Sequence, residues 1–201
     1  MKNIILTCLI SLFTFAASAE TSIPNIIDEL NPRDPQIRQI LIQLDKNYEA
    51  ETGLSSRLPE DLTAEKCFRE TCKVWVRINR AEQRFYLYID AIQTYEWLTS
   101  TGSPDSPEFI TPAMDTHPDG RIYDAYTSTL YPEGDYMGLG NMPYAVFVKD
   151  GWAIHGTPEG NWPLLGSPVS AGCIRLHPDN AFIFNRLVRE WGRRKVWVTI
   201  E

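Results

Sequence analysis

Histidine and cysteine are scarce in this chain, three and four among 201 residues. That leaves few ways to build a metal centre. Cys67 and Cys72, with four residues between them and no histidine nearby, are a poor zinc pair, so no metal is expected. Cys-x-x-Cys spacing is absent, which removes a thioredoxin-type redox pair. Beyond the first nineteen residues there is no long apolar run, so nothing later in the chain suits a membrane span. Cations are short as well: 19 Lys and Arg stand against 26 Asp and Glu, a net charge of −7. Such a surface argues against general nucleic-acid binding. No internal repeat or low-complexity tract is visible.

The first nineteen residues read MKNIILTCLISLFTFAASA. One Lys2, an apolar run to Ala17 and the A-x-A pattern Ala17-Ser18-Ala19 describe a secretory signal peptide cut after Ala19. A retained anchor is the alternative, but the run is shorter than the ~20 residues a spanning helix needs. Cys8 would leave with the signal. The rest suits one soluble domain with a modest N-terminal extension at 20–72. Export places the chain in an oxidising compartment, the periplasm or cell envelope, where Cys67 and Cys72 can persist as a disulfide. Closing that small loop stabilises the fold by roughly 2 kcal/mol. Cys173 is then the thiol left over.

Asp34-Pro35 reads as a helix start. Ile37, Ile40, Leu41, Leu44 and Tyr48 follow at helical spacing over 35–50. Residues 53–72 read as a polar linker with a short helical piece around 59–68. Alternation then takes over: 73–79 and 84–90 are two strands of a hairpin joined by 80–83, and 92–99 is a third strand. Residues 100–143 are loop-rich, a length that is functional or broken by short strands. Their aromatics and Met137 could line a groove, though covering the core is the commoner role. Residues 144–148 and 152–154 form another hairpin around Lys149-Asp150-Gly151, with His155 at a strand end. Pro178 opens a helix whose Ala181, Phe182, Phe184, Leu187 and Val188 face inward, and 196–200 closes the sheet. The cluster Arg186, Arg189, Arg193, Arg194, Lys195 reads as a solvated helix end, ahead of a polyanion site. The fold class from these patterns is mainly β.

A thiol becomes a strong nucleophile when a histidine takes its proton. His155 and Cys173 are candidates for such a pair, with the Gly156 carbonyl or the Thr157 hydroxyl to orient the imidazole. Gly172 lets the backbone approach closely, so amides near Cys173 could donate to an oxyanion. By spacing alone the pair is weak, because buried cysteine is a common core residue.

His155-Gly156-Thr157 followed by Ser170-Ala171-Gly172-Cys173-Ile174-Arg175 resembles the active-site signature of the L,D-transpeptidases, the YkuD-type family: a His, about fourteen residues, then Ser/Thr-His-Gly-Cys. The 73–90 hairpin, Ser100-Thr101-Gly102 and the stretch 116–122 extend the likeness, which covers about 73–201. The resemblance implies a β-sandwich-like catalytic domain, with a C-terminal helix after the Cys, acting on peptidoglycan stem peptides without a cofactor. Cys173 would form a thioester by cleaving an L,D bond, His155 would be the base, and Gly156 and Gly172 would shape the catalytic loop. Arg175, Ser170, Thr157, Trp162 and Met137 would meet the substrate. The acceptor would be a stem amine or a protein amine. Water instead would make it an L,D-carboxypeptidase or amidase, and a non-catalytic wall-binding module is a further alternative. The chain departs from the family at Ala171, where a His is usual. His177 and His117 are expected to be structural or exposed.

Overall fold

The computed structural model describes residues 35–58, 65–128 and 134–201. The expected leader and the Asp34 cap lie outside these residues. Along the chain the elements are α1 (Ile37–Thr52), β1 (Val74–Asn79), β2 (Arg84–Ile89), β3 (Ile92–Leu98), β4 (Met114–Thr116), β5 (Val146–Lys149), β6 (Trp152–Gly156), β7 (Ile174–Leu176), α2 (Pro178–Trp191) and β8 (Val196–Ile200).

Alternation builds the larger sheet. β1 buries Val74, Val76 and Ile78, and β2 buries Phe85 and Leu87, so each strand has one apolar face. They pair antiparallel from Val74↔Ile89 to Asn79↔Arg84. Asp90 and Ala91, both with positive φ, turn the chain into β3, in the manner of a tight hairpin. The strand order is β3-β2-β1-β8-β4, with β8 parallel to β1 and antiparallel to β4. The smaller sheet runs β5-β6-β7, with β6 and β7 parallel.

The main core lies between the sheets. Val76, Leu87, Val198 and Ile200 of the larger sheet meet Val146, Ile154, Ile174 and Leu176 of the smaller one, and α2 adds Ala181, Phe184 and Val188. Phe182 does not face inward as expected. It is 42% exposed, with its ring against the edge of Tyr144 and under the Arg186 guanidinium. The buried positions of α2 follow 181, 184, 185, 188, and residue 182 stands one step of ~100° off that stripe.

A second core forms where α1 lays Ile37, Leu41 and Tyr48 onto Tyr123, Tyr126, Phe147 and Ala153. Burying a side chain such as Leu41 contributes roughly 1.5–3 kcal/mol. Asp45 lies on the same buried face. Its carboxylate accepts hydrogen bonds from the Tyr123 hydroxyl and from Arg57, and Arg121 pairs with it at 3.3 Å.

The linker helix expected around 59–68 lies partly outside the described residues. Its described portion, 65–68, is not helical, and a 3-10 turn follows at Arg69–Thr71. Cys67 and Cys72 form the disulfide. A second 3-10 turn, Glu159–Leu164, breaks the loop between β6 and β7, where the sequence showed no helical pattern.

Candidate active site

β6 and β7 run side by side, with Ile154 opposite Ile174 and His155 opposite Arg175. Ile154, Ile174 and Leu176 point into the core between the sheets. Successive strand residues point to opposite faces, so His155 and Arg175 share the other face with Ala153. Cys173, directly before β7, packs onto that face beside the α1 core. The histidine and the cysteine thus arrive on one face of the smaller sheet from two adjacent strands.

His155 is 4% exposed, and its Nδ1 lies 2.6 Å from the Gly156 carbonyl oxygen. Burial, opposed by the Gly156 hydrogen bond and aided by the nearby Arg175 charge, pushes its pKa down to about 3. The imidazole is therefore neutral at physiological pH. A carbonyl only accepts, so Nδ1 carries the proton and Nε2 holds the lone pair. Cys173 stands outside the disulfide and is half-buried. Its Sγ lies 3.7 Å from the Gly151 carbonyl oxygen.

A family model of the L,D-transpeptidase catalytic domain, YkuD, matches residues 73–198. The chain belongs to that family. Among solved structures, this L,D-transpeptidase domain is similar to an L,D-transpeptidase in complex with imipenem, at 20% identity and TM-score 0.52, covering 65% of this chain and 59% of that one. An L,D-transpeptidase from Mycobacterium tuberculosis H37Rv matches at 19% identity and TM-score 0.50, covering 65% and 58%. One from Mycobacterium smegmatis matches at 22% identity and TM-score 0.49, covering 65% and 59%. The chain spans about three fifths of the length of these proteins. No curated protein compared with the chain matches it.

The loop before the cysteine is shaped by hydroxyls. In this L,D-transpeptidase domain Ser170 is buried. Its Oγ donates to the Cys173 carbonyl at 2.6 Å and accepts from the Gly172 amide at 3.1 Å. The Gly172 amide is therefore already engaged within the loop. Gly172 has φ +126°, a conformation that favours glycine. Its carbonyl accepts from Thr111 Oγ1 at 2.7 Å, and the same hydroxyl accepts from the Gly102 amide at 2.8 Å. Gly102 is obligatory for another reason, since a Cβ there would stand 1.6 Å from the Phe109 carbonyl oxygen.

The other expected substrate residues are placed unequally. Thr157 is buried. Its hydroxyl accepts from Asn161 and its carbonyl accepts from Trp162 Nε1 at 2.9 Å, so Thr157 holds the 3-10 turn that carries Trp162. The Trp162 ring lies against His177, 4.4 Å between centroids. His177 caps α2. His117 sits half-buried with Nδ1 2.7 Å from the Val196 carbonyl oxygen. Arg175 stands beside His155 in register, with its backbone bonded both ways to Ser100. Met137 is 84% exposed in a turn with φ +53° and points to solvent.

Gln83 and Thr111 carried no signal in the sequence, and Tyr126 was one of several loop aromatics that could line a groove or cover the core. Gln83, buried at φ +52°, donates to Thr101 Oγ1 and accepts from the Thr101 amide, fixing the segment that flanks Ser170. Thr111 bridges Gly102 to Gly172 as described. Tyr126 has a buried hydroxyl with no hydrogen-bond partner among the described residues. Burial, and then the neighbouring Cys173 sulfur, push that hydroxyl far above the usual tyrosine range. Among the described residues, no group of three His, Cys, Asp or Glu side chains gathers where it could hold a metal ion.

Proposed function

We propose that this chain is an exported cysteine acyltransferase that acts on peptidoglycan stem peptides. The observation that carries the reading is the delivery of a neutral, carbonyl-oriented His155 and the non-disulfide Cys173 to one face of β6 and β7. Membership of the L,D-transpeptidase family supports it. No described helix is long and apolar enough to cross a membrane. In this proposal 1–19 is the removed leader, 20–72 an extension and 73–201 the catalytic unit.

In the proposed reaction the Cys173 thiol gives its proton to His155 Nε2 as sulfur attacks the carbonyl of the L,D bond in a donor stem. The tetrahedral oxyanion needs donors nearby, and the Tyr126 hydroxyl beside the sulfur, with no acceptor of its own, suits that charge. The C–N bond then breaks. His155 returns its proton to the departing amine of the D-residue, and the acyl group stays on sulfur as a thioester. An incoming amine from a neighbouring stem or a protein attacks the thioester, passes its proton to His155, and Cys173 leaves with that proton restored. In this proposal Arg175, on the same face, meets a substrate carboxylate by a bidentate contact. Ser170, Thr157 and Trp162 shape the walls around it.

The test is intact-protein mass spectrometry with a carbapenem, followed by incubation with stem tetrapeptides. One adduct on Cys173, absent in Cys173→Ala, and a crosslinked dimer are expected. Iodoacetamide should label Cys173 rapidly near neutral pH and more slowly in His155→Ala. Free tripeptide without dimer would replace transfer with hydrolysis. Absence of any adduct would overturn the enzymatic reading.

A further inference from the structure

The larger sheet ends at β4 and the smaller at β5. Between these two edges lies a cleft of about 810 Å³, reached also by α1, by Arg57, by Lys66 and by the 3-10 turn Arg193–Lys195. Neither Cys173 nor His155 lines it. Arg38, Arg57 and Lys66 come from outside the matched residues 73–198. The cleft is thus built where this chain's extension meets the family domain.

Its charge is opposite to that of the molecule. Seven lysines and arginines line it against three aspartates, in a chain of net charge −7. All three aspartates are already engaged. Asp115 accepts from Arg69, Trp197 and Thr199. Asp119 pairs with Arg121 at 2.7 Å, and Asp150 pairs with Arg38 at 3.6 Å. Lys66, Lys149 and Arg193 have no carboxylate partner among the described residues. Lys66 and Lys149 are exposed. Arg193 spends one Nη on the Asp119 carbonyl, and its Nε is a buried donor with no acceptor among the described residues.

We propose that this cleft is a binding site for a phosphate group. Three cations from three separate segments suit a multivalent, several-oxygen anion better than a single carboxylate. The acidic surface elsewhere focuses such an anion here. A phospholipid headgroup and a soluble phosphate compound share this chemistry. The basic cluster near the C-terminus divides accordingly: Arg186 and Arg189 pair with Asp124, whereas Arg193 and Arg194 face the cleft.

The test uses the full chain and two probes. One is inorganic pyrophosphate in calorimetry, and the other is co-sedimentation with phosphatidylcholine vesicles with and without phosphatidylglycerol. Lys66→Glu with Lys149→Glu should weaken binding by about ten-fold or more and flatten its salt dependence. Lys73→Glu with Arg84→Glu makes the same charge change on the larger sheet and should leave binding within about two-fold. Binding to phosphatidylglycerol vesicles alone assigns the site to a lipid headgroup, and binding to pyrophosphate alone assigns it to a soluble phosphate. Equal weakening by both double variants, or no binding of either probe, would overturn the proposal. Carbapenem adduct formation on Cys173, unchanged in both variants, shows that the fold is intact and keeps this outcome separate from that of the proposed acyl transfer.

Discussion

His155 is a neutral imidazole held inside the protein, and that has a measurable cost in acid. Its pKa is pushed down to about 3 by burial, against an ordinary value of 6.5. Between those values the unfolded chain binds the proton and the folded chain does not. Stability from this group is therefore complete above pH 6.5 and is lost as pH falls below it, by up to about 1.4 kcal/mol per pH unit. Urea midpoints measured from pH 7 to pH 4 should fall steeply in the parent protein and less steeply in His155→Gln. Parallel slopes would mean that other groups carry the acid sensitivity. Tyr126 gives the complementary case, a buried hydroxyl without a partner. Tyr126→Phe removes a polar group that burial penalises, so thermal stability should hold or rise by up to about 1 kcal/mol. If the hydroxyl meets the developing oxyanion, carbapenem acylation of Cys173 should slow by about ten-fold or more in the same variant. His155 and Cys173 were legible as candidates through the family signature, weakly by spacing alone, and the Gly156 carbonyl now bonded to His155 was one of two groups that could orient the imidazole. Thr111 and Gln83 were not legible, and Tyr126 was one of several loop aromatics, because each reaches the site from a loop whose path depends on contacts distant in sequence.

At the scale of elements, α1 is more than an appendage. It packs on the face that carries Cys173 and sends a buried carboxylate, Asp45, to Arg57, Arg121 and Tyr123. Arg121 is only 11% exposed, so removing Asp45 leaves a buried charge compensated by Asp119 alone. Asp45→Ala should cost roughly 3 kcal/mol in urea denaturation. A loss below about 1 kcal/mol would show that apolar packing alone docks the helix. The helix itself was legible from Ile37, Leu41 and Tyr48. Its docking face was not, because periodicity identifies an apolar stripe without naming what the stripe covers. The hairpin of β1 and β2 was legible for the opposite reason, since strict alternation and a four-residue turn specify both partners at once. β4, three residues long, has no period to read. Phe182 misled because an apolar residue beside a buried stripe looks the same in sequence as one within it.

For the molecule as a whole, the Cys67–Cys72 disulfide closes a short loop just ahead of β1. Reduction should lower stability by roughly 2 kcal/mol through the entropy returned to the unfolded chain. A thermal melt with and without dithiothreitol reads this directly, and an unchanged midpoint would place the staple outside the cooperative unit. Strand alternation bounded the fold class, and the family signature bounded the expected chemistry. The sheet order was beyond both, because β8 inserts between β1 and β4 instead of lying at an edge.

That insertion bears on when the protein can fold. β1 obtains its second neighbour only when Val196 pairs with Val74, so the larger sheet stays incomplete until residues 196–200 have been synthesised. Until then β1–β3 form a meander with an unsatisfied edge, and long-range pairing of this kind is slow to nucleate. A nascent chain built this way holds an open sheet edge on β1 until β8 arrives to cover it.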